Sequence, residues 1–156
     1  MKFRAFVAAD IEPDERLKDI LTGLRRSGAD LKVVRPELMH VTLKFLGDTE
    51  EGAVDDIASR IEGAVRGTHP FEVKLTGMGA FPSLSNIRVV WVGMQDSGVL
   101  AQIAQRLDES LGELGFEPDK KGFKPHLTVA RARGPSRMGA VQGILKEKAA
   151  SDFGTY

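Results

Sequence analysis

The sequence predicts an α+β fold in which layers of antiparallel sheet carry helices on the outside. Three observations favour this class. Apolar residues recur at helical spacing in separate segments, short runs typical of strands lie between those segments, and one four-residue motif occurs in each half of the chain. A length of 156 residues suits a single domain with a sizeable core, which the repeated motif suggests is built from two similar halves.

The first half of the chain is predicted to contain three strands and two helices. Residues 3–9 are apolar and predict a buried strand, and leucine and isoleucine at helical spacing then predict a helix to about residue 27. Residues 31–34 favour a short strand, and residues 39–46 favour a longer one that Gly47 closes. A second helix starts near Thr49, and its predicted buried face consists of Val54, Ile57, Ile61 and Val65.

The second half is predicted to repeat this alternation. Residues 71–78 alternate between apolar and polar and predict a half-exposed strand, whereas the glycine-, proline- and serine-rich stretch 77–85 predicts a loop. A strand over 87–94 precedes a third helix, whose predicted buried face consists of Leu100, Ile103, Leu107, Leu111 and Leu114. Residues 126–132 predict a further strand, and residues 137–149 predict a weakly periodic helix.

Composition bounds the classes of function. The 22 basic residues balance the 22 acidic ones, so any contact with nucleic acid has to come from a local basic patch. The absence of cysteine excludes disulfides and thiolate metal sites. The apolar N-terminal run lacks the pattern of a signal peptide, and no apolar run approaches a membrane span. We therefore expect a cytoplasmic monomer that does not bind membranes.

The repeated motif reads His, aliphatic, Thr, aliphatic: His40-Val41-Thr42-Leu43 and His126-Leu127-Thr128-Val129. Composition alone would place threonine two residues after two of the three histidines with a probability of about 0.006. In a strand, residues i and i+2 point to the same face, so each histidine should project with its threonine while the aliphatic residues turn inward. Imidazole exchanges protons near neutral pH and threonine can donate to a phosphoryl oxygen, so this set suits a phosphate.

These motifs resemble those of the two-histidine (2H) phosphoesterases, and most closely the LigT-like RNA 2′,3′-cyclic phosphodiesterases. The similar phrases are Arg4 to Ala8, His40 to Gly47, Gly79 to Pro82, Arg88 to Gly93, and Pro125 to Arg131. The resemblance implies one bilobal domain over residues 1–156, with two pseudo-symmetric lobes of antiparallel sheet and outer helices around a central cleft. Similar proteins usually continue past Phe153-Gly154 with one or two more strands, so either the C-terminal end of the domain is incomplete in this sequence or this member is naturally brief.

Hydrolysis of a cyclic phosphodiester needs a base for the attacking water, an acid for the leaving ribose oxygen, and donors for the phosphoryl oxygens. Two histidines can be acid and base, and Thr42 and Thr128 can donate hydrogen bonds, without a metal or other cofactor. The residues do not assign the two roles. The resemblance does: it implies that His40 is the proton donor and His126 the proton acceptor. RNA ends or small cyclic nucleotides would be the substrate, and a 2′-phosphomonoester the product.

The remaining residues of interest lie outside the two motifs. Arg131 is a candidate substrate-binding residue or, alternatively, a surface or ion-pair arginine. Strict alternation from His126 puts it on the opposite face unless a bulge or the end of the strand brings it round. Phe45 is predicted to lie in the core and His69 in a solvated loop. A basic cluster is either a solvated loop or a track for the RNA backbone; it consists of Lys120, Lys121, Lys124, Arg131 and Arg133.

Three groups of competing functions remain open from the sequence. The same residues could serve a 2′-5′ RNA ligase, a 2′,5′-phosphodiesterase or a hydrolase of another cyclic phosphate. The chain could also be a non-catalytic module that binds RNA or nucleotides. A histidine metal site is a further alternative, although neither motif has the spacing of a metal-binding set.

Overall fold

The computed structural model describes residues 1–120 and 122–156. Within them the elements follow one another in this order: β1 (Lys2–Asp10), α1 (Glu15–Arg26), β2 (Leu31–Val33), β3 (His40–Glu50), α2 (Val54–Val65), β4 (Lys74–Ser83), β5 (Asn86–Gln95), α3 (Val99–Gly112), β6 (His126–Ala132), α4 (Met138–Glu147) and β7 (Asp152–Thr155). Single 3₁₀ turns at Pro36–Leu38 and Glu51–Ala53 precede β3 and α2. The predicted mixture of sheets and helices is confirmed.

The chain forms two compact units, and the first combines Met1–Ala9, Thr42–Phe71 and Asp96–Pro125. Its strands β1 and β3 form a two-stranded sheet, and α2 contacts α3. One face of each helix is apolar at helical spacing, which joins the two helices and the sheet in a common core. That core consists of Val7, Ile57, Ala64, Ile103, Leu107 and Leu111.

The second unit combines Asp10–Val41, Glu72–Gln95 and His126–Tyr156. Its five-stranded antiparallel sheet has the order β2-β6-β5-β4-β7. Helix α1 contacts β2 and β7, and α4 contacts β4. Asp14 caps α1 by accepting a hydrogen bond from the Leu17 amide at 3.1 Å. The buried helix residues are Leu17, Ile20, Leu21 and Leu24 of α1 and Val141 and Leu145 of α4.

Two strands of the first unit differ from their predictions. Residues 3–9 do form a strand, but the prediction that it is buried is wrong: Val7 alone is buried and Phe6 is 49% exposed. Phe45 was predicted to be core and is 68% exposed, with its ring 6.4 Å from that of Phe6. A two-stranded sheet with a core on one side leaves its other face open, so apolar composition alone overestimated burial. Strand β3 also continues through Gly47, which takes a positive φ of 70°.

Helix α2 and strands β4 and β7 also differ from the predictions. Val54 and Val65 were predicted to be buried in α2 but are exposed, and Ala64 is buried instead. Strand β4 starts at Lys74 and runs through most of the predicted loop 77–85. Gly77 absorbs a register shift with a φ of 75°, so a glycine that suggested a turn marks a bulge in a strand. Strand β7 was not predicted.

Among the described residues, no helix combines the length and the apolar composition that crossing a membrane requires.

Candidate active site

The second motif occupies the start of β6, which lies between β2 and β5 in the five-stranded sheet. Leu127 and Val129 are fully buried, as predicted, and hold the strand against the core. His126 and Thr128 are half-buried and project to the other face. The alternation predicted for this motif is confirmed.

A β-bulge in β6 determines the position of Arg131. Trp91 of β5 pairs with Thr128 of β6. Val89 lies two residues before Trp91, on the same face of β5. Its partner on β6 is Arg131, which lies three residues after Thr128 rather than two. Strand β6 therefore contains one residue more than β5 at this point. Because directly paired residues share a face, Arg131 lies on the same face as Thr128 and His126. Strict alternation had put it on the opposite face.

Two aromatic rings contact the His126 imidazole. The Trp91 indole is tilted against it, with ring centroids 4.3 Å apart and an interplanar angle of 34°. The Phe81 ring meets it edge-on at 5.0 Å. Gly79, the β4 partner of Trp91, leaves the space that the indole fills, because a Cβ there would lie 2.3 Å from Trp91 Cζ2. Sequence reasoning missed this packing, although Gly79 and Trp91 both lie in phrases that carry the resemblance.

The first motif starts β3. The Nδ1 atom of His40 lies 2.9 Å from the carbonyl oxygen of Leu38, which can only accept, so Nδ1 carries the hydrogen of this bond. In the neutral ring the lone pair is therefore on Nε2. Val41 is buried and Thr42 is half-buried. The boundary between the two units falls inside this motif, after Val41.

A buried ion pair supports the strand that carries the first motif. Lys44, two residues after Thr42, is 2% exposed and donates to Asp108 of α3 and, at 2.9 Å, to the Glu117 carbonyl. Asp108 also accepts from the backbone amide of Asp119. These bonds hold β3 against α3 and the segment that follows α3. No sequence pattern had singled out Lys44, because charged residues of this kind are rarely buried.

The other predicted residues have separate outcomes. His69 is exposed, as predicted. Within the predicted basic cluster, Lys120 and Lys124 belong to the first unit and Arg131 and Arg133 to the second, and Lys121 lies outside the described residues. The cluster therefore stays a prediction. No group of three or more potential metal ligands comes together in the described part of the chain. The convergence of His40 and His126 on one phosphorus atom also stays a prediction.

Comparison with known proteins adds the family. The model of the 2′-5′ RNA ligase superfamily matches residues 12–153. The chain is 38% identical to the RNA 2′,3′-cyclic phosphodiesterase of Methanothermobacter thermautotrophicus, over 94% of this chain and 80% of that protein. It is also 38% identical to the protein of the same name from Archaeoglobus fulgidus, over 97% of this chain and 84% of the relative.

A crystal structure of E. coli LigT with 3′-AMP has the same fold, with a TM-score of 0.71 and 23% identity over 100% of this chain and 83% of that one. Fold and motifs together define the class as a phosphoesterase with paired histidines, as the resemblance indicated. Within that class, the chain belongs to the 2′-5′ RNA ligase superfamily.

Proposed function

We propose that this protein hydrolyses the 2′,3′-cyclic phosphate of RNA ends to a 2′-phosphomonoester. The proposal is supported by the relatives named RNA 2′,3′-cyclic phosphodiesterase. The observation that carries it is the common face of His126, Thr128 and Arg131. A proton acceptor, a hydroxyl donor and a guanidinium on one face are the groups that a phosphoryl transition state needs.

The reaction follows from these groups. His126 accepts a proton from water as the water oxygen attacks phosphorus, and the bond from phosphorus to the 3′ oxygen breaks. His40, protonated at Nε2, gives its proton to that leaving oxygen, which becomes the 3′ hydroxyl. Thr42, Thr128 and Arg131 donate hydrogen bonds to the non-bridging oxygens, where negative charge increases in the transition state. The cytoplasm is the compartment we propose.

Product analysis with a nucleoside 2′,3′-cyclic monophosphate in ¹⁸O-labelled water tests this proposal. The wild type should release the 2′-phosphate with one ¹⁸O atom, and kcat/KM should give a bell-shaped pH profile. His40→Ala and His126→Ala should each lower kcat by about 10²–10⁴-fold, the usual contribution of a general acid or base. His69→Ala is the matched control, because His69 is the third histidine and is exposed.

The competing functions predict other outcomes. Cleavage of 2′,5′-linked dinucleotides with no action on cyclic phosphates would favour a 2′,5′-phosphodiesterase. Sealing of RNA ends with a 2′-5′ linkage would favour a ligase. Binding of nucleotides that survives His40→Ala, together with no turnover by the wild type, would favour a non-catalytic module. A rate that rises steadily across about pH 5–9 would contradict paired histidines.

A further inference from the structure

Lys32 lies beside Arg131 on the face of the sheet that carries the second motif. We propose that Lys32 binds the phosphodiester preceding the terminal cyclic phosphate, so that the site prefers RNA 3′ ends to free nucleotides. This inference rests on the proposed function and names the substrate class within it.

The strand register supplies the first argument. Lys32 of β2 pairs directly with Arg131 of β6, so their side chains share a face with Cβ atoms about 5 Å apart. Both residues are exposed. Within the described residues, none of the ion pairs involves either of them. Two like charges directly opposite each other destabilise an antiparallel pair, and a bound anion would remove that penalty.

The charge of the sheet supplies the second argument. The two neighbouring strands that carry the pair, β2 and β6, contain no aspartate or glutamate, and their basic residues are Lys32 and Arg131. The acidic residue nearest to Lys32 in the chain is Asp30. Its carboxylate lies against Gly134, because a Cβ added to that glycine would be 2.7 Å from Asp30 Oδ2. Lys32 and Arg131 therefore lie together on two strands that contain no carboxylate of their own.

The strand order places the two cations in sequence outward from the motif. Arg131 lies on β6 itself, three residues after Thr128, whereas Lys32 lies on β2, the edge strand of the sheet. With Arg131 on the reacting phosphate, Lys32 is one strand further out, where the preceding phosphate of an RNA strand would follow. A free cyclic nucleotide has no phosphate for that position. Lys32 thus favours an RNA 3′ end over a free cyclic nucleotide as the substrate.

The test compares three substrates: a nucleoside 2′,3′-cyclic monophosphate, a dinucleotide that ends in the same cyclic phosphate, and that dinucleotide with a neutral methylphosphonate linkage. The wild type should prefer the charged dinucleotide. Lys32→Gln should lower the preference for the charged dinucleotide over the mononucleotide by about fivefold, the effect of a charge pair worth about 1 kcal/mol. In the wild type, the neutral linkage should lower the preference for the dinucleotide over the mononucleotide by the same factor. In Lys32→Gln, the neutral linkage should cause no further loss of this preference.

Two readouts separate this inference from the proposed function. Dissociation constants for the 2′-phosphorylated dinucleotide and mononucleotide measure the same preference without turnover. Failure of the wild type to hydrolyse either substrate would reject the proposed function while those constants still decide the role of Lys32. Lys146→Gln, on the exposed side of α4, is the matched control and should keep the wild-type preference.

Salt and stability give further outcomes. Affinity for the charged dinucleotide should fall more steeply with salt than affinity for the mononucleotide. The slopes of log affinity against log salt concentration should differ by about 0.7, and Lys32→Gln should remove this difference. Relief of like-charge repulsion should raise the Tm of the free Lys32→Gln protein by about 1–3 °C. A Lys32→Gln protein that keeps the full dinucleotide preference, or that responds to charged and neutral linkages as the wild type does, would overturn the inference.

Discussion

Gly79 leaves room for the Trp91 indole, and Gly79→Ala tests whether that indole positions His126. A Cβ at Gly79 would lie 2.3, 2.6 and 2.8 Å from three atoms of the indole. Ordinary contacts start at 3.4 Å, so the ring has to withdraw by about 1.1 Å (3.4 − 2.3). The indole and imidazole rings are already in contact at 4.3 Å, so this displacement has to change their packing.

We expect Gly79→Ala to lower both stability and turnover. Overpacking of this kind costs about 1–3 kcal/mol in free energy of unfolding, measurable by urea denaturation. A displacement of about 1 Å at a catalytic group can lower the rate by up to about 10²-fold, measurable as kcat on a cyclic nucleotide. The loss of kcat should exceed any loss explained by unfolded protein at the assay temperature.

A double-mutant cycle with Trp91→Leu isolates the steric cause. The smaller side chain removes the clash, so Gly79→Ala should cost less stability in the Trp91→Leu background than in the wild type. Gly63→Ala is the control, because a Cβ at Gly63 in α2 meets nothing within 4 Å. Wild-type stability and kcat in Gly79→Ala, or equal costs in both backgrounds, would refute the reasoning.

Three further predictions concern contacts between side chains. Asp108→Ala leaves the buried Lys44 ammonium without its carboxylate partner and should lower the free energy of unfolding by about 3–5 kcal/mol. Lys44→Met leaves the Asp108 carboxylate, which is 27% exposed, and should lower it by less. The reverse order in urea titrations would contradict this. Burial alone would raise the pKa of Asp14, but the Leu17 amide and the Arg16 guanidinium outweigh it and hold the pKa below 3.8. The ionised Asp14 carboxylate therefore stabilises the fold above about pH 4, and this stabilisation is lost as the pH falls below that value. Asp14→Asn keeps the helix cap and should lose less stability on acidification than the wild type. Identical profiles of stability against pH would contradict this. Finally, His126→Gln should change the fluorescence emission of Trp91, the only tryptophan, because the indole packs against the His126 ring. An emission spectrum identical to that of the wild type would contradict this contact.

Patterns within one segment predicted the elements well. The apolar residues of α3 recur at helical spacing, and four of them are buried as expected. The strand over 126–132 was predicted with the same bounds that the structure shows. These predictions succeed because helical and strand periods are properties of neighbouring residues, and burial of the apolar side follows from the period.

Predictions failed where a partner far along the chain decides the outcome. Phe45 has the composition of a core residue, but its side chain lies beside Phe6 of β1 and is 68% exposed. Lys44 has the composition of a surface residue, but Asp108, 64 positions later, satisfies its charge in the interior. Neither partner can be read from the local sequence.

The sequence by itself determined the chemical groups: two histidines, each with a threonine two residues later on a predicted strand, and a phosphate as the ligand they suit. Only the tertiary structure decided which other side chains accompany them. A bulge brings Arg131 to the face of His126, pairing with β2 places Lys32 beside Arg131, and Gly79 admits the indole that packs on His126. The reason is physical: alternation counts residues along one strand, whereas bulges and neighbours depend on the register between strands.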